Sequence, residues 1–399
     1  VVGNQILLTI NSGSSSCKTA LFALTDSFVV ERKIVDATFE QTDDLRVERK
    51  VTWYVDQPEM SSQNATESTT IIDALSDWLA ALPSSFEIVA IGHRVVHGGG
   101  KFNSAVSLSN ETVDQLERLI LFDRIHAKPA LDLIKQVRQR YPTTAQVVCF
   151  DSSFFNEMPK NARTIALPEQ IVSLGVRRYG FHGLSYTYVQ QEFERRAGTD
   201  ARNGRVIYAH LGSGSSLCAT KDGNVVDTTM GFSPASGIPS STRSGDIDPT
   251  IAGFIDKAAS ITADQLADLS QTESGLKAIS GSSGSMKHLL NIETHDSKAA
   301  EAVEFYVYSV QKAIGSLVAA VGGIDSLIFT GGIGEQSGIL RQRICDSLSY
   351  LGIELHDSRN FAHDFTISND GSRVGVHVIL TDEGSVIANQ TASVIGAQR

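Results

Sequence analysis

Ile6-Leu7-Leu8-Thr9-Ile10 runs directly into Asn11-Ser12-Gly13-Ser14-Ser15-Ser16-Cys17. About half the chain later, Val206-Ile207-Tyr208-Ala209-His210 runs into Leu211-Gly212-Ser213-Gly214-Ser215-Ser216-Leu217-Cys218. In each copy an apolar, strand-forming run enters a turn of small residues and continues into a second extended stretch. An echo at that spacing reads as a duplicated domain. Such turns carry little side-chain bulk, so backbone N–H groups and serine hydroxyls are free to point at an anion; the pair reads as phosphate-binding.

Outward from these two segments, short β-rich runs alternate with amphipathic helices, the pattern of an α/β architecture. Ile71, Ile72, Leu75, Trp78, Leu79 and Leu82 recur at helical spacing behind the start signal Ser68-Thr69-Thr70. Further helices are expected over 111–122, 129–141, 186–197 closed by Gly198, 298–321, and 338–350 closed by Gly352. A third glycine-rich turn, Thr330-Gly331-Gly332-Ile333-Gly334-Glu335, follows the strand-like Ser326-Leu327-Ile328-Phe329 and precedes a helix, a geometry suited to a nucleotide. Neither the G-x-G-x-x-G spacing of a dinucleotide fold nor a G-x-x-x-x-G-K-[ST] P-loop is present, so any phosphate chemistry rests on another architecture.

Composition narrows the function classes. A chain of 399 residues, 41% hydrophobic, has material for two domains. With 45 acidic against 34 basic residues its net charge is −11, which repels an extended phosphate backbone and argues against nucleic acid as a partner. Cys17, Cys149, Cys218 and Cys345 are scattered and form no C-x-x-C pair, which disfavours a zinc site or a disulfide framework and favours a reducing compartment. No apolar run is long enough for a membrane span, and Val1 to Ile10 lacks the basic region of a secretory signal. A cytoplasmic protein is the expectation.

Polar and charged groups concentrate beside glycine in four segments: Ile91-Gly92-His93-Arg94-Val95-Val96-His97-Gly98-Gly99, Val148-Cys149-Phe150-Asp151, Arg177-Arg178-Tyr179-Gly180-Phe181-His182-Gly183, and Thr242-Arg243-Ser244-Gly245-Asp246-Ile247-Asp248-Pro249. With the Asn11-to-Lys18 motif at one end and Thr381-to-Glu383 at the other, these strings resemble the acetate and propionate kinase family. That family is a branch of the actin, sugar kinase and heat-shock chaperone superfamily, and the resemblance covers essentially the whole chain. It implies two duplicated actin-like (ribonuclease H-like) α/β domains with a central cleft. The first spans 1–150, completed by a C-terminal helix at 385–399 and forming the acid-binding side; the second spans 151–384 and forms the nucleotide-binding side.

The implied chemistry accounts for the residue types. A small carboxylic acid ionises near pKa 4 to 5, so at neutral pH the nucleophile is already an anion and needs no general base. Charge repulsion is the obstacle, and a cationic cradle with a divalent ion removes it. By the resemblance Arg94 grips the acid, Asp151 is the essential acidic residue, and His182 and Arg243 stabilise the transferring phosphoryl group. Asn11 and Glu383 hold Mg²⁺ (or Mn²⁺), for which hard oxygen ligands are suited. Lys18, His210, Leu211, Gly212, Ser213, Gly214, Ser285, Met286, Lys287, Gly331, Gly332, Ile333, Gly334 and Glu335 fall where the family meets the nucleotide. Val96, Ile125, Phe181 and Pro234 fall where it lines the methyl end of the acid, and one methylene there is worth only about 1–3 kcal/mol, so propionate or butyrate stays open beside acetate. His93 and His97 read as structural.

The chain departs from the family's strings at several points. Leu-His-Asn-Pro appears as Ile125-His126-Ala127-Lys128, Asp-Thr-Ala-Phe-His as Asp151-Ser152-Ser153-Phe154-Phe155, and two asparagines as Ser213 and Gln336. The segment that meets ribose and base, Ser-Ser-Asp-x-Arg, has become Ser283-Gly284-Ser285-Met286-Lys287, without the acidic residue. ATP is the expected donor, with GTP and pyrophosphate as alternatives. A weakened nucleotide-binding paralogue is the rival from outside the enzymes, disfavoured because a pure binder has no need of the Arg94 segment. The resemblance also implies a homodimer.

Overall fold

The structure, a computed structural model, describes residues 5–13, 16–41, 46–55, 68 and 70–398. Ser14 and Ser15 of the first turn, and Thr69 of the first helix-start signal, lie outside the described residues. The chain forms two compact units: the residues up to Ser153 together with those from Asp382 onward, and Phe154–Thr381. The sequence reading set these boundaries three residues away on each side. The shift matters because Asp151 and Glu383 then belong to the first unit, where each bonds to a strand-end residue.

The first unit is built on a seven-stranded sheet. Its strands are β1 (Gln5–Ser12), β2 (Ser16–Leu24), β3 (Val30–Gln41), β4 (Val47–Trp53), β5 (Glu87–Val95), β6 (Val106–Ser107) and β7 (Ala145–Phe150), in the order β4-β3-β2-β1-β5-β7-β6. β1 to β4 form an antiparallel meander, while β1, β5 and β7 run parallel. β1 is a continuous apolar run because both of its faces are covered. On one side Leu8 and Ile10 meet Leu75, Trp78 and Leu79 of the Ile71–Ala80 helix, whose N-terminus is capped by the Thr70 side chain. On the other side lies the C-terminal helix Glu383–Gly396. Gly92 in the middle of β5 permits that approach: a Cβ there would sit 2.3 Å from Thr391 Oγ1 and 2.6 Å from Ile387 Cγ2.

The second unit repeats the plan with five strands: β8 (Val206–Leu211), β9 (Ser215–Lys221), β10 (Asn224–Thr228), β11 (Ser326–Thr330) and β12 (Gly375–Val378), in the order β10-β9-β8-β11-β12. β8 to β10 are antiparallel, and β8, β11 and β12 are parallel. The echo in the sequence is therefore an echo in the sheets, with β8 and β9 matching β1 and β2. The helix Ser297–Val321 covers this sheet with Val303, Tyr306, Val310, Ile314 and Leu317, one stripe at spacings of three and four. Asp296 caps its start and Gly322, in the left-handed region, ends it.

Three elements differ most from the sequence reading. The helix expected from Pro129 starts five residues earlier, Arg124–Arg140, because Asp123 caps it through the His126 N–H, and Pro129 is held inside. The helix expected to reach residue 350 ends at Asp346, and a short 3₁₀ turn, Ser349–Leu351, carries the chain to Gly352. The Gly331–Gly334 turn is itself helical, the start of a one-and-a-half-turn helix Gly331–Gln336. Among the described residues no helix is long and apolar enough to cross a membrane.

Candidate active site

In the first unit the charged residues gather at the carboxyl ends of the parallel strands, where open α/β sheets hold ligands. Asn11 is the penultimate residue of β1, Arg94 that of β5, Asp151 follows β7 directly, and Glu383 opens the C-terminal helix. Arg94 Nε and Nη2 donate side-on to Asp151, at 3.1 Å and 2.6 Å to Oδ2. Its Nη1 donates to Asn11 Oδ1 at 2.8 Å and lies 3.6 Å from Glu383 Oε2. Asn11 Nδ2 in turn donates to Glu383 Oε2 at 2.6 Å. Asp151 is fully buried, and Arg94 and Glu383 are each only 15% exposed. Burial alone would weaken the hold of Arg94 on its proton, but the Asp151 and Glu383 charges more than offset it and the guanidinium stays cationic. The side-on edge of Arg94 is thus occupied by Asp151, and Nη1 faces Asn11 and Glu383.

His93 and His97, read as structural, flank Arg94 and are buried. His93 Nε2 bonds Gln146 Oε1 at 2.9 Å, and burial pushes its pKa down to about 4. His97 Nδ1 accepts from the Gly99 N–H. Lys18 is exposed on β2 opposite Asn11, so it belongs to the first unit while the other residues assigned to the nucleotide lie in the second.

In the second unit the hairpin from β8 to β9 carries His210 to Gly214. A Cβ on Gly214 would sit 2.8 Å from Arg243 Nη1 and 3.2 Å from His182 Nε2, and one on Gly212 would be 3.6 Å from His210 Nε2. Two imidazoles and a guanidinium therefore border a turn that presents backbone rather than side chain. His182 and His210 stack with ring centroids 4.3 Å apart. His182 is the N-terminal cap residue of the Gly183–Ala197 helix, held at φ 60°, ψ 25°, a left-handed conformation unusual for a residue with a Cβ. Arg243 Nη1 also donates to the Pro234 carbonyl at 3.3 Å.

The Gly331 turn packs against this hairpin: a Cβ on Gly331 would lie 2.7 Å from the Leu211 carbonyl, and Gly332 is exposed with nothing near its Cβ position. The Glu335 carboxylate is turned inward, accepting from the Gly331 and Thr381 N–H groups, each at 2.9 Å. It fixes the turn from below. Arg341, fully buried, does the same from the other end by donating to the Gly334 and Glu335 carbonyls. At the segment expected to meet ribose and base, Ser285 caps a helix, Met286 is in the hydrophobic core and Lys287 is exposed. Met286 thus has no free side chain to offer. Of the residues assigned to the acid's methyl end, Val96 and Ile125 lie in the first unit, and Phe181 and Pro234 in the second.

Sequence reasoning missed Ser216 and Ser185, which bond the two imidazoles, Tyr186, which bonds Ser216, and Arg341. The second Ser of the Ser215-Ser216 pair in the echo was the one available signal.

Together, the duplicated sheet and the two polar clusters define an α/β phosphotransferase. The acetokinase family model matches residues 6–389, and the chain belongs to that family of carboxylate kinases. An acetate kinase of Rickettsia typhi is 36% identical over 390 residues, covering 97% of this chain and 98% of that protein. Among solved structures, a propionate kinase from Francisella tularensis superposes with a TM-score of 0.87 at 29% identity, covering 98% of this chain and all of the other. An acetate kinase from Porphyromonas gingivalis gives 0.84 at 30% identity with the same coverage.

Proposed function

We propose that the protein transfers the terminal phosphoryl group of ATP to acetate, reversibly, giving acetyl phosphate and ADP. The observation that carries this reading is the pair of clusters: a largely buried guanidinium flanked by carboxylates at one set of strand ends, and His182 with Arg243 bordering the Gly214 backbone at the other. Arg94 binds the carboxylate through its remaining N–H groups while Asp151 holds the guanidinium plane. His182 and Arg243 donate to the equatorial phosphoryl oxygens as charge spreads over them in a loose, in-line transition state. Val96, Ile125, Phe181 and Pro234 set the size of acid accepted. The nucleotide phosphates meet the backbone of 210–214 and 331–334, and Lys18 supplies a further cation.

Asn11 Oδ1 and Glu383 Oε2 both lie near Arg94 Nη1, and they are hard oxygens of the kind Mg²⁺ takes together with waters and substrate phosphates. Bound there, Mg²⁺ would neutralise phosphate charge. The protein acts as a homodimer in the cytoplasm in this reading.

The test is a donor-by-acid matrix with Mg²⁺: ATP, GTP and pyrophosphate, each against acetate, propionate and butyrate, scored by acyl phosphate trapped as hydroxamate. GTP and pyrophosphate are included because the 283–287 segment has no acidic residue and Met286 is buried. Product with ATP and acetate supports the reading. Product only with another donor moves the activity to that donor, and no product anywhere would leave a nucleotide binder.

A further inference from the structure

The imidazole of His182 is held by a chain of hydroxyl groups that runs into the core. Tyr186 Oη lies 2.6 Å from Ser216 Oγ, and Ser216 Oγ lies 2.8 Å from His182 Nδ1. Tyr186 and Ser216 are both fully buried, so water does not complete their bonding. The direction of the protons follows from counting donors. Ser216 Oγ is the hydrogen-bond partner of the Tyr186 hydroxyl, and Ser216 Oγ in turn meets His182 Nδ1. Were the Tyr186 oxygen to accept from Ser216 instead, its own proton would be left in a dry interior without an acceptor. Tyr186 therefore donates to Ser216. A serine hydroxyl has one proton, and with Tyr186 donating to it, that proton goes to His182 Nδ1. A neutral imidazole whose Nδ1 accepts carries its hydrogen on Nε2.

Nε2 is the atom directed at the hairpin, 3.2 Å from the position of a Gly214 Cβ and next to Arg243 Nη1. Ser185 stands in the same relation to the stacked neighbour, its Oγ 2.8 Å from His210 Nδ1.

We propose that Tyr186 and Ser216 are positioning residues for phosphoryl transfer: they fix His182 in the Nε2–H tautomer, so that it presents a hydrogen-bond donor, and not a lone pair, to the phosphoryl oxygens. No proton changes owner in this step; the imidazole donates a hydrogen bond and keeps its hydrogen. The inference rests on the reading that His182 faces the transferring group.

The experiment uses the full chain labelled with ¹⁵N in its histidines, at pH 8, with His182 signals identified by their loss in His182→Asn. In the wild type, Nδ1 should resonate as an unprotonated nitrogen and Nε2 as a protonated one. Tyr186→Phe, which keeps the ring, should lose that preference and lower kcat about tenfold while the acid's KM changes less than about twofold, as for an interaction made in the transition state. Ser216→Ala should do the same. A wild-type His182 protonated on Nδ1 would overturn the proposal, as would unchanged kcat in both variants. Full activity in His182→Asn would instead remove the underlying reading, whichever tautomer the spectra show.

Discussion

Asp151 holds Arg94 side-on, Oδ2 within 3.1 Å of Nε and 2.6 Å of Nη2, at the ends of two adjacent parallel strands. The guanidinium plane is therefore set before any substrate arrives, and the cost of orienting it is met in folding rather than in binding.

Removing one partner of this pair should be worse than removing both. Arg94→Ala leaves the fully buried Asp151 without its cation and should cost about 3–5 kcal/mol. Arg94→Ala with Asp151→Asn should recover most of that loss in urea unfolding at neutral pH, with no recovery of activity. A double variant as unstable as the single one would show that the pair's charges are not what couples them.

Gly92→Ala should act at a distance. Its new Cβ would meet Thr391 and Ile387 and press the C-terminal helix away from β5, moving Glu383 relative to Arg94. The expected loss is about 1–3 kcal/mol of stability, accompanied by a higher Mg²⁺ requirement in a titration of the initial rate. An unchanged Mg²⁺ requirement would contradict the assignment of Glu383.

His93 gives the fold a pH dependence of definite sign. Burial holds it down to about 4 in the folded chain, against about 6.5 unfolded, so between those values only the unfolded state takes up the proton. Stability should be level above pH 6.5 and fall as the pH drops from 6.5 toward 4. His377, also pushed down to about 4 by burial, adds a like slope from the second unit. Melting temperatures measured across that range should fall less steeply in His93→Gln than in the wild type.

All four cysteines are buried and free. Burial pushes the Cys17 and Cys149 thiols up to about 12, leaving almost no thiolate at pH 8. Native protein should resist iodoacetamide and take up label at all four positions only when urea is added, as mass spectrometry would show.

The α/β class, the duplication and the strand-to-turn segments were legible because apolar runs and small-residue turns are local signals, and they survive into β1–β2 and β8–β9. Helix ends were less so: Asp123 caps its helix in competition with the breaking tendency of Pro129, and only the packed structure shows which prevails. Arg94 and Asp151 stood out as charged residues beside glycine, yet their mutual pairing joins positions 57 apart and has no local signature. Glu335 was placed at the nucleotide by the resemblance; that its carboxylate bonds the Gly331 and Thr381 N–H groups is a tertiary contact with no local signature. Tyr186 and Ser216 were invisible for the same reason, since a hydroxyl's partner is fixed by tertiary contact.

The most direct test of the account is the rate of trapped acetyl phosphate from acetate, ATP and Mg²⁺ in the wild type, Arg94→Ala and His182→Ala, compared at equal amounts of folded protein. The account predicts robust product from the wild type and a fall of about 10²–10³ in each variant, the loss expected when a group that stabilises transition-state charge is removed. Variants that keep the wild-type rate would contradict it.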